Sequence, residues 1–97
     1  MSFAELKAAV ESGRAPAGVS GAVAALWHDA RGDWDGAHAS AQDDHSKDGS
    51  WVHAYLHRKE GDAGNAGYWY ARAGRRMPAA GVTLEAEWEQ IARALCG

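Results

Sequence analysis

Two histidines and a glutamate recur in one short segment with helical spacing. His53, His57 and Glu60 stand at positions i, i+4 and i+7, so a helix would project all three from one side. Two imidazoles and one carboxylate form a ligand set that suits Zn²⁺ and related divalent ions. One hypothesis is therefore a small metal-binding protein or metal-dependent enzyme that uses these three residues.

The same histidines also have a structural interpretation. His28 lies four residues before Gly32, just as His57 lies four residues before Gly61. A packed histidine that donates a hydrogen bond to a carbonyl or carboxylate explains both without a metal. The sequence favours this structural role. It therefore predicts no cofactor. The alternative is a divalent metal ion, for which His28 is a further candidate ligand.

Three arginines follow a pair of aromatic residues. Arg72, Arg75 and Arg76 come after Tyr68 and Trp69, and guanidinium groups in such a cluster could hold an anion, a nucleotide phosphate or an acidic partner. Cations near a helix C-terminus are also stabilised by the helix dipole. A solvated helix end is the alternative and commoner explanation.

The remaining polar segments contain no recognisable catalytic or ligand-binding motif. Asp43, Asp44, His45 and Asp48 lack the order and length of a calcium-binding loop, so we expect them to be solvated. The chain has no nucleophile paired with a base, no phosphate-binding loop and no dinucleotide fingerprint. These observations favour a protein without catalytic residues.

Helices must position these candidates, because the chain has helical spacing of apolar residues and no long runs of β-branched residues. Serine, threonine and aspartate stand where helices should start, and glycines where they should end. The polar run from His45 to Ser50 is predicted to be a loop, with Ser50 capping the fourth helix. The six predicted helices span about 3–12, 21–31, 34–44, 51–60, 62–73 and 84–95.

An internal repeat relates the two halves of the chain. Each half has a glycine that permits a tight turn, an aspartate that can cap the next helix and an alanine that allows close helix approach. Each half should therefore be a helical hairpin. The aligned pairs are Trp27 with Leu56, His28 with His57, Gly32 with Gly61, Asp33 with Asp62, Ala37 with Ala66, and Ala41 with Tyr70.

The second half carries a known motif, in the residues Gly61, Asp62, Ala66, Tyr70, Ala73 and Pro78. By these residues and their spacing the chain resembles the tetratricopeptide (TPR) repeat family. The resemblance implies a single all-α domain, with hairpins at about 20–44 and 50–78 closed by N- and C-terminal helices. The first hairpin departs from the motif, because Asp44 stands where alanine is expected. The chain also looks similar to small bacterial proteins.

The resemblance implies a function as well as a fold. Trp51, Tyr55, Arg58 and Lys59 take positions that line the concave groove in which this family binds peptides. The leading hypothesis is therefore a non-catalytic protein- or peptide-interaction module that uses a groove on the second hairpin. The alternative for Trp51 and Tyr55 is that they belong to the core.

Composition and charge give no support for a nucleic-acid-binding, secreted or membrane protein. A net charge of −3 and an acidic isoelectric point give no support for nucleic-acid binding. The sequence shows neither a signal peptide nor a membrane-spanning run, and the lone Cys96 cannot form an internal disulfide. We therefore expect a cytoplasmic protein with a protein or peptide partner, and exposed aromatic residues leave a homodimer open.

Overall fold

The computed structural model covers all 97 residues and contains six α-helices and no strand. Its radius of gyration is 12.2 Å, as expected for a folded chain of this length. The predicted all-α class and the number of helices are therefore confirmed. The helices are α1 (Phe3–Ser12), α2 (Gly21–Ala30), α3 (Trp34–Asp43), α4 (Lys47–Lys59), α5 (Ala63–Ala73) and α6 (Leu84–Cys96).

The start of α4 differs from the sequence prediction. The helix begins at Lys47 rather than Trp51, because the Ser46 hydroxyl accepts a hydrogen bond from the Gly49 amide at 3.2 Å and caps it. Gly49 lies against the main chain of Asp44, where a side chain would have no room. The prediction of a loop from His45 to Ser50 is therefore wrong for residues 47–50, which form the first turn of α4. The absence of a side chain at Gly49 thus allows the first turn of α4 to pack closely against Asp44.

The two helix pairs turn in the same way. In the first pair Gly32 has φ 81° and the Asp33 amide donates to the His28 carbonyl at 2.9 Å. In the second pair Gly61 has φ 88°, and the equivalent amide, that of Asp62, donates to the His57 carbonyl at the same distance. A positive φ favours glycine, so both turns depend on that residue. The turn geometry predicted by the internal repeat is present in both hairpins.

Helix α4 lies at the centre of the molecule and packs against α2, α3, α5 and α6. Every residue in 49–57 is buried. Small side chains on the neighbouring helices, such as Ala37 on α3 and Ala66 on α5, are fully buried and let the helix axes approach closely. The candidate residues Trp51, His53, Tyr55 and His57 therefore lie in the interior, whereas Arg58 is half-buried and Lys59 is exposed.

Three tryptophans join helices through their indole N–H groups. Trp27 donates to a carbonyl of α1 at 2.9 Å, Trp34 to a carbonyl of α4 at 3.0 Å, and Trp88 to a carbonyl of α2 at 3.0 Å. Each bond satisfies a partly buried donor and contributes about 1 kcal/mol. Helices α1 and α6 also contact each other, so the terminal helices close the bundle. No helix combines the length and apolar character needed to cross a membrane.

Candidate metal site

Three imidazoles meet where α3 packs against α4. His38 comes from α3, and His53 and His57 come from successive turns of α4. Each ring offers a nitrogen, and the three nitrogens lie within 4.8 Å of one another. The ring centroids are 4.6 Å apart for His38 and His53, and 4.8 Å apart for His53 and His57. We call these three residues the histidine cluster.

Local sequence explains why the cluster forms. The four-residue spacing of His53 and His57 places both rings on one side of α4. His38 stands between Ala37 and Ala41, whose small buried side chains bring α3 close to α4. The inner face of α3 therefore carries His38 directly to the two rings of α4.

Two tryptophans cover the cluster. The Trp34 ring stacks on His38 with centroids 4.9 Å apart, and the Trp69 ring stacks on His53 with centroids 3.9 Å apart. The hydrogen bond between the Trp34 indole and the Leu56 carbonyl fixes the first of these rings. The tryptophans limit water access and give the histidines an apolar environment.

Burial keeps His53 uncharged at neutral pH. Loss of solvent, followed by the proximity of His38 and His57, lowers the pKa of His53 from 6.5 to about 4. The Nε2 atoms of His53 and His38 are 3.0 Å apart, so one of them donates a hydrogen bond and the other accepts it. The Nδ1 atom of His53 is buried and has no hydrogen-bond partner. Protein groups alone therefore leave the polar atoms of this cluster incompletely satisfied.

Glu60 holds the third imidazole. The Nδ1 atom of His57 lies 2.6 Å from Oε1 of Glu60, a hydrogen bond in which the histidine donates. A neutral His57 that donates from Nδ1 carries its lone pair on Nε2, the form that binds metals. Glu60 also lies near Asp62, so His57, Glu60 and Asp62 form a second, more exposed group of potential ligands.

Two of the three predicted metal ligands lie together in the structure, and the third does not. His53 and His57 lie together as the sequence predicted, but Glu60 does not group with His53 and contacts only the far side of His57. The third residue of the histidine cluster is His38, which was not predicted from the sequence. The signal that could have found it is the neighbouring Ala37, which the internal repeat marked as a point of close approach between helices.

His28 stays outside the cluster. Its Nδ1 atom lies 3.4 Å from a carboxylate oxygen of Asp33, and its ring packs edge-on against Trp27 at a centroid distance of 5.1 Å. A histidine beside the aspartate of a helix turn has an adequate structural role. The position that matches His57 in the repeat thus holds a residue with a different environment.

The residues predicted to bind a peptide are mostly engaged within the protein. Trp51 is 4% exposed and Tyr55 2% exposed, so both belong to the core. Arg58 donates to Glu87 at 2.8 Å, and it also donates to the Val82 carbonyl. Burial and the neighbouring Asp29 raise the pKa of Tyr55. Its hydroxyl donates to that carboxylate at 2.9 Å, and Lys59 donates to the same carboxylate at 2.8 Å.

Two of these residues nevertheless line a groove. Tyr55 and Lys59 lie at a depression of about 430 Å³ bounded by α1, α2, α4 and α6. Trp51 instead lines a second cavity of about 360 Å³ beside α6. The four predicted residues therefore do not share one surface.

The three arginines also separate. Arg72 donates to the Tyr68 hydroxyl at 3.0 Å and lies over the Trp69 ring. Arg75 lies over the Trp51 ring, 3.7 Å from its centroid, and lines the second cavity together with Arg76. The predicted anion cluster is thus reduced to two members that share a cavity.

The acidic segment has a structural role through Asp44. Its carboxylate accepts hydrogen bonds from the Ala22 amide at 3.0 Å and from the hydroxyl of Ser46 at 2.6 Å. Burial opposes ionisation of Asp44, but these hydrogen bonds outweigh it and lower the pKa. Asp43, His45 and Asp48 are exposed. Asp44 therefore joins the start of α2 to the connection before α4.

Comparison with family models, with curated proteins and with solved structures finds no match to this chain. The tetratricopeptide resemblance therefore stays a prediction that rests on the sequence motif.

Proposed function

We propose that the protein binds one divalent transition-metal ion through His38, His53 and His57. The observation that carries this proposal is the convergence of three imidazole nitrogens within 4.8 Å of one another in the folded chain. This arrangement replaces the set of His53, His57 and Glu60 considered from the sequence. Glu60 becomes the residue that orients His57 rather than a ligand of the same ion.

The chemistry of the cluster selects the class of ion. Neutral imidazole is a good ligand for Zn²⁺, Cu²⁺ and Ni²⁺, whereas Ca²⁺ and Mg²⁺ prefer oxygen ligands. The lowered pKa of His53 supports binding, because a ligand that is already unprotonated gives up no proton to the solvent. Three protein ligands leave a fourth tetrahedral position for water or an exogenous ligand.

The distances are close to those that a metal requires. Zinc–nitrogen bonds of about 2.1 Å in a tetrahedral site separate the nitrogens by about 3.4 Å. The Nε2 atoms of His38 and His53 are 3.0 Å apart, so this pair needs only a small outward rotation, and the His57 nitrogen lies within 4.8 Å of both ligand atoms. A bound ion would replace their mutual hydrogen bond. The hydrogen bond from His57 to Glu60 would stay in place and orient its ring, as carboxylates do at known metal sites.

A titration of tag-free protein tests the proposal. Protein stripped with a chelator should bind one equivalent of Zn²⁺ by calorimetry, and Cu²⁺ should quench the fluorescence of Trp34 and Trp69, which stack on the ligands. His38→Gln should weaken Zn²⁺ binding by at least about tenfold. His38 is the ligand to replace first, because it is the least buried of the three.

His45→Gln provides the matched control, since His45 is exposed and outside the cluster. Its Zn²⁺ affinity should equal that of the wild type. Circular dichroism should show the same helix content in both variants. If the wild type binds no Zn²⁺, Cu²⁺ or Ni²⁺, or if both variants bind equally well, the proposal is wrong.

A second candidate function is peptide binding in the groove lined by Tyr55 and Lys59. Its support is the mixed lining of the groove, where apolar Leu84 and Trp88 occur together with the basic Lys7 and the acidic Glu85. Peptides selected from a random library on the wild type should bind Glu85→Lys much less tightly. Glu11→Lys makes the same charge change outside the groove and should leave binding unchanged. A library that yields no peptide, or peptides that both variants bind equally, would remove this candidate.

A further inference from the structure

The second cavity, of about 360 Å³, lies between α4, the connection from α5 to α6, and α6 itself. One part of its wall is apolar and another part is cationic. The histidine cluster does not contribute to it. Its lining includes Trp51, Arg75, Arg76, Met77, Val82 and Gln90.

The positive charges of this cavity are uncompensated. Neither Arg75 nor Arg76 has a carboxylate within 4.0 Å or a side-chain hydrogen bond to the protein. Glu87 is the acidic residue in the wall, but its two oxygens accept hydrogen bonds from Arg58 and Tyr70. The carboxylate is therefore already neutralised, and the cavity presents two free guanidinium groups.

Packing holds one of these guanidinium groups in place. The central carbon of the Arg75 guanidinium lies 3.7 Å from the centroid of the Trp51 ring, and Trp51 is 4% exposed. A guanidinium that covers an aromatic face keeps its N–H groups at its edge, where they can donate to an anion in pairs. Arg75 therefore loses little side-chain freedom when it binds.

We propose that this cavity binds a small organic anion, with Arg75 and Arg76 donating to its carboxylate or phosphate group. The Gln90 amide supplies an additional polar group. Met77 and Val82 contact an apolar part of the ligand. A bare inorganic ion would leave most of the cavity unfilled, whereas small-molecule sites of this size combine an apolar wall with a few polar groups. This site is independent of the proposed metal site.

The test uses benzoate and phenyl phosphate as probes, with benzamide and inorganic phosphate as comparisons. At least one of the two aromatic anions should bind saturably in calorimetry, more tightly than inorganic phosphate, and benzamide should not bind. Binding of phenyl phosphate alone would assign a phosphate ester, and binding of benzoate alone would assign a carboxylate. If inorganic phosphate binds as tightly as phenyl phosphate, the apolar part of the proposal is wrong.

Arginine variants identify the cavity as the site. Arg75→Gln and Arg76→Gln should each weaken binding by about tenfold or more. Arg75→Lys keeps the charge but loses the planar group, so it should bind more weakly than the wild type. Arg72→Gln removes the same charge from a neighbouring residue that does not line the cavity and should change binding less than twofold. Equal losses in Arg72→Gln and Arg75→Gln, with helix content unchanged, would show general charge attraction and overturn the proposal.

Discussion

One side of α4 carries Tyr55, Arg58 and Lys59, each hydrogen-bonded to a buried carboxylate. The opposite side carries His53 and His57, where a buried nitrogen of His53 has no partner. Both sides place polar groups inside the protein, which is costly unless those groups are paired. The first side meets that requirement with protein groups alone and the second does not.

The difference separates two roles for buried polar residues. Asp29 and Glu87, paired with lysine or arginine and hydrogen-bonded by tyrosine, hold α2 and α6 against α4 and join α5 to α6. An incompletely paired cluster contributes less to stability. The Nε2 atoms of His38 and His53 hydrogen-bond only to each other and can turn to a ligand instead. We therefore expect substitutions on the first side to lower stability and substitutions on the second side to change binding.

The largest expected effect follows removal of Glu87. Its carboxylate is 1% exposed, so Glu87→Ala leaves the Arg58 charge without its partner in a partly buried site. We expect the free energy of unfolding to fall by about 3–5 kcal/mol, measured by urea denaturation. Glu89→Ala, which removes an exposed pair with Arg93 on the same helix, should cost less than about 1 kcal/mol. Similar losses in the two variants would contradict the role given to Glu87.

Acid should weaken the protein through His53. The pKa of His53 in the folded state, about 4, lies below its ordinary value of 6.5, so the unfolded chain binds more protons between these values. The contribution of His53 is therefore complete above pH 6.5 and is lost as the pH falls towards 4. We expect a loss of about 2 kcal/mol, less than the full shift allows because folded His53 itself begins to take up protons as the pH approaches 4. Urea midpoints measured in His53→Leu should vary less with pH across this window than those of the wild type.

Glu60→Gln should alter metal affinity while leaving the binding stoichiometry intact. The substitution removes the charge that orients His57, and loss of such a partner commonly weakens metal binding by about 10–100-fold. Calorimetry should show about a tenfold weaker interaction with Zn²⁺ and one bound ion. An unchanged affinity would mean that Glu60 does not act through His57, and complete loss of binding would make Glu60 a ligand.

The smallest effect should be a stability change of opposite sign at His53. His53→Leu replaces a ring that has an unpaired buried atom by an apolar side chain of similar size. We expect the free energy of unfolding at neutral pH to rise by about 1 kcal/mol, while Zn²⁺ binding is lost. A large loss of stability would show that the histidine cluster is structural and would erase the contrast between the two sides of α4.

The helices and turns followed from local sequence. Ser2, Ser20 and Thr83 cap helices as their positions predicted, because a cap depends on residues within one turn. The start of α4 could not be predicted in this way. Ser46 and Ser50 are equally good caps in isolation, and the choice depends on how closely Gly49 approaches Asp44.

The residues of the candidate metal site could be grouped from the sequence only where they share a helix. His53 and His57 were found because their spacing alone places them together. The addition of His38 depends on the packing of two hairpins, which a single sequence does not specify. The pairing of Arg58 with Glu87 joins residues 29 positions apart, and it converts a predicted binding residue into a structural one.

The three indole hydrogen bonds also give the molecule its own set of spectroscopic reporters. Trp27, Trp34 and Trp88 each donate across a different helix contact, from α2 to α1, α3 to α4, and α6 to α2. Each indole N–H gives a separate resonance in a nitrogen-15 spectrum, and its exchange with deuterium reports the opening of its own contact. Slower exchange at Trp34 than at Trp27 would show that the central α3–α4 contact outlasts the attachment of α1 during unfolding.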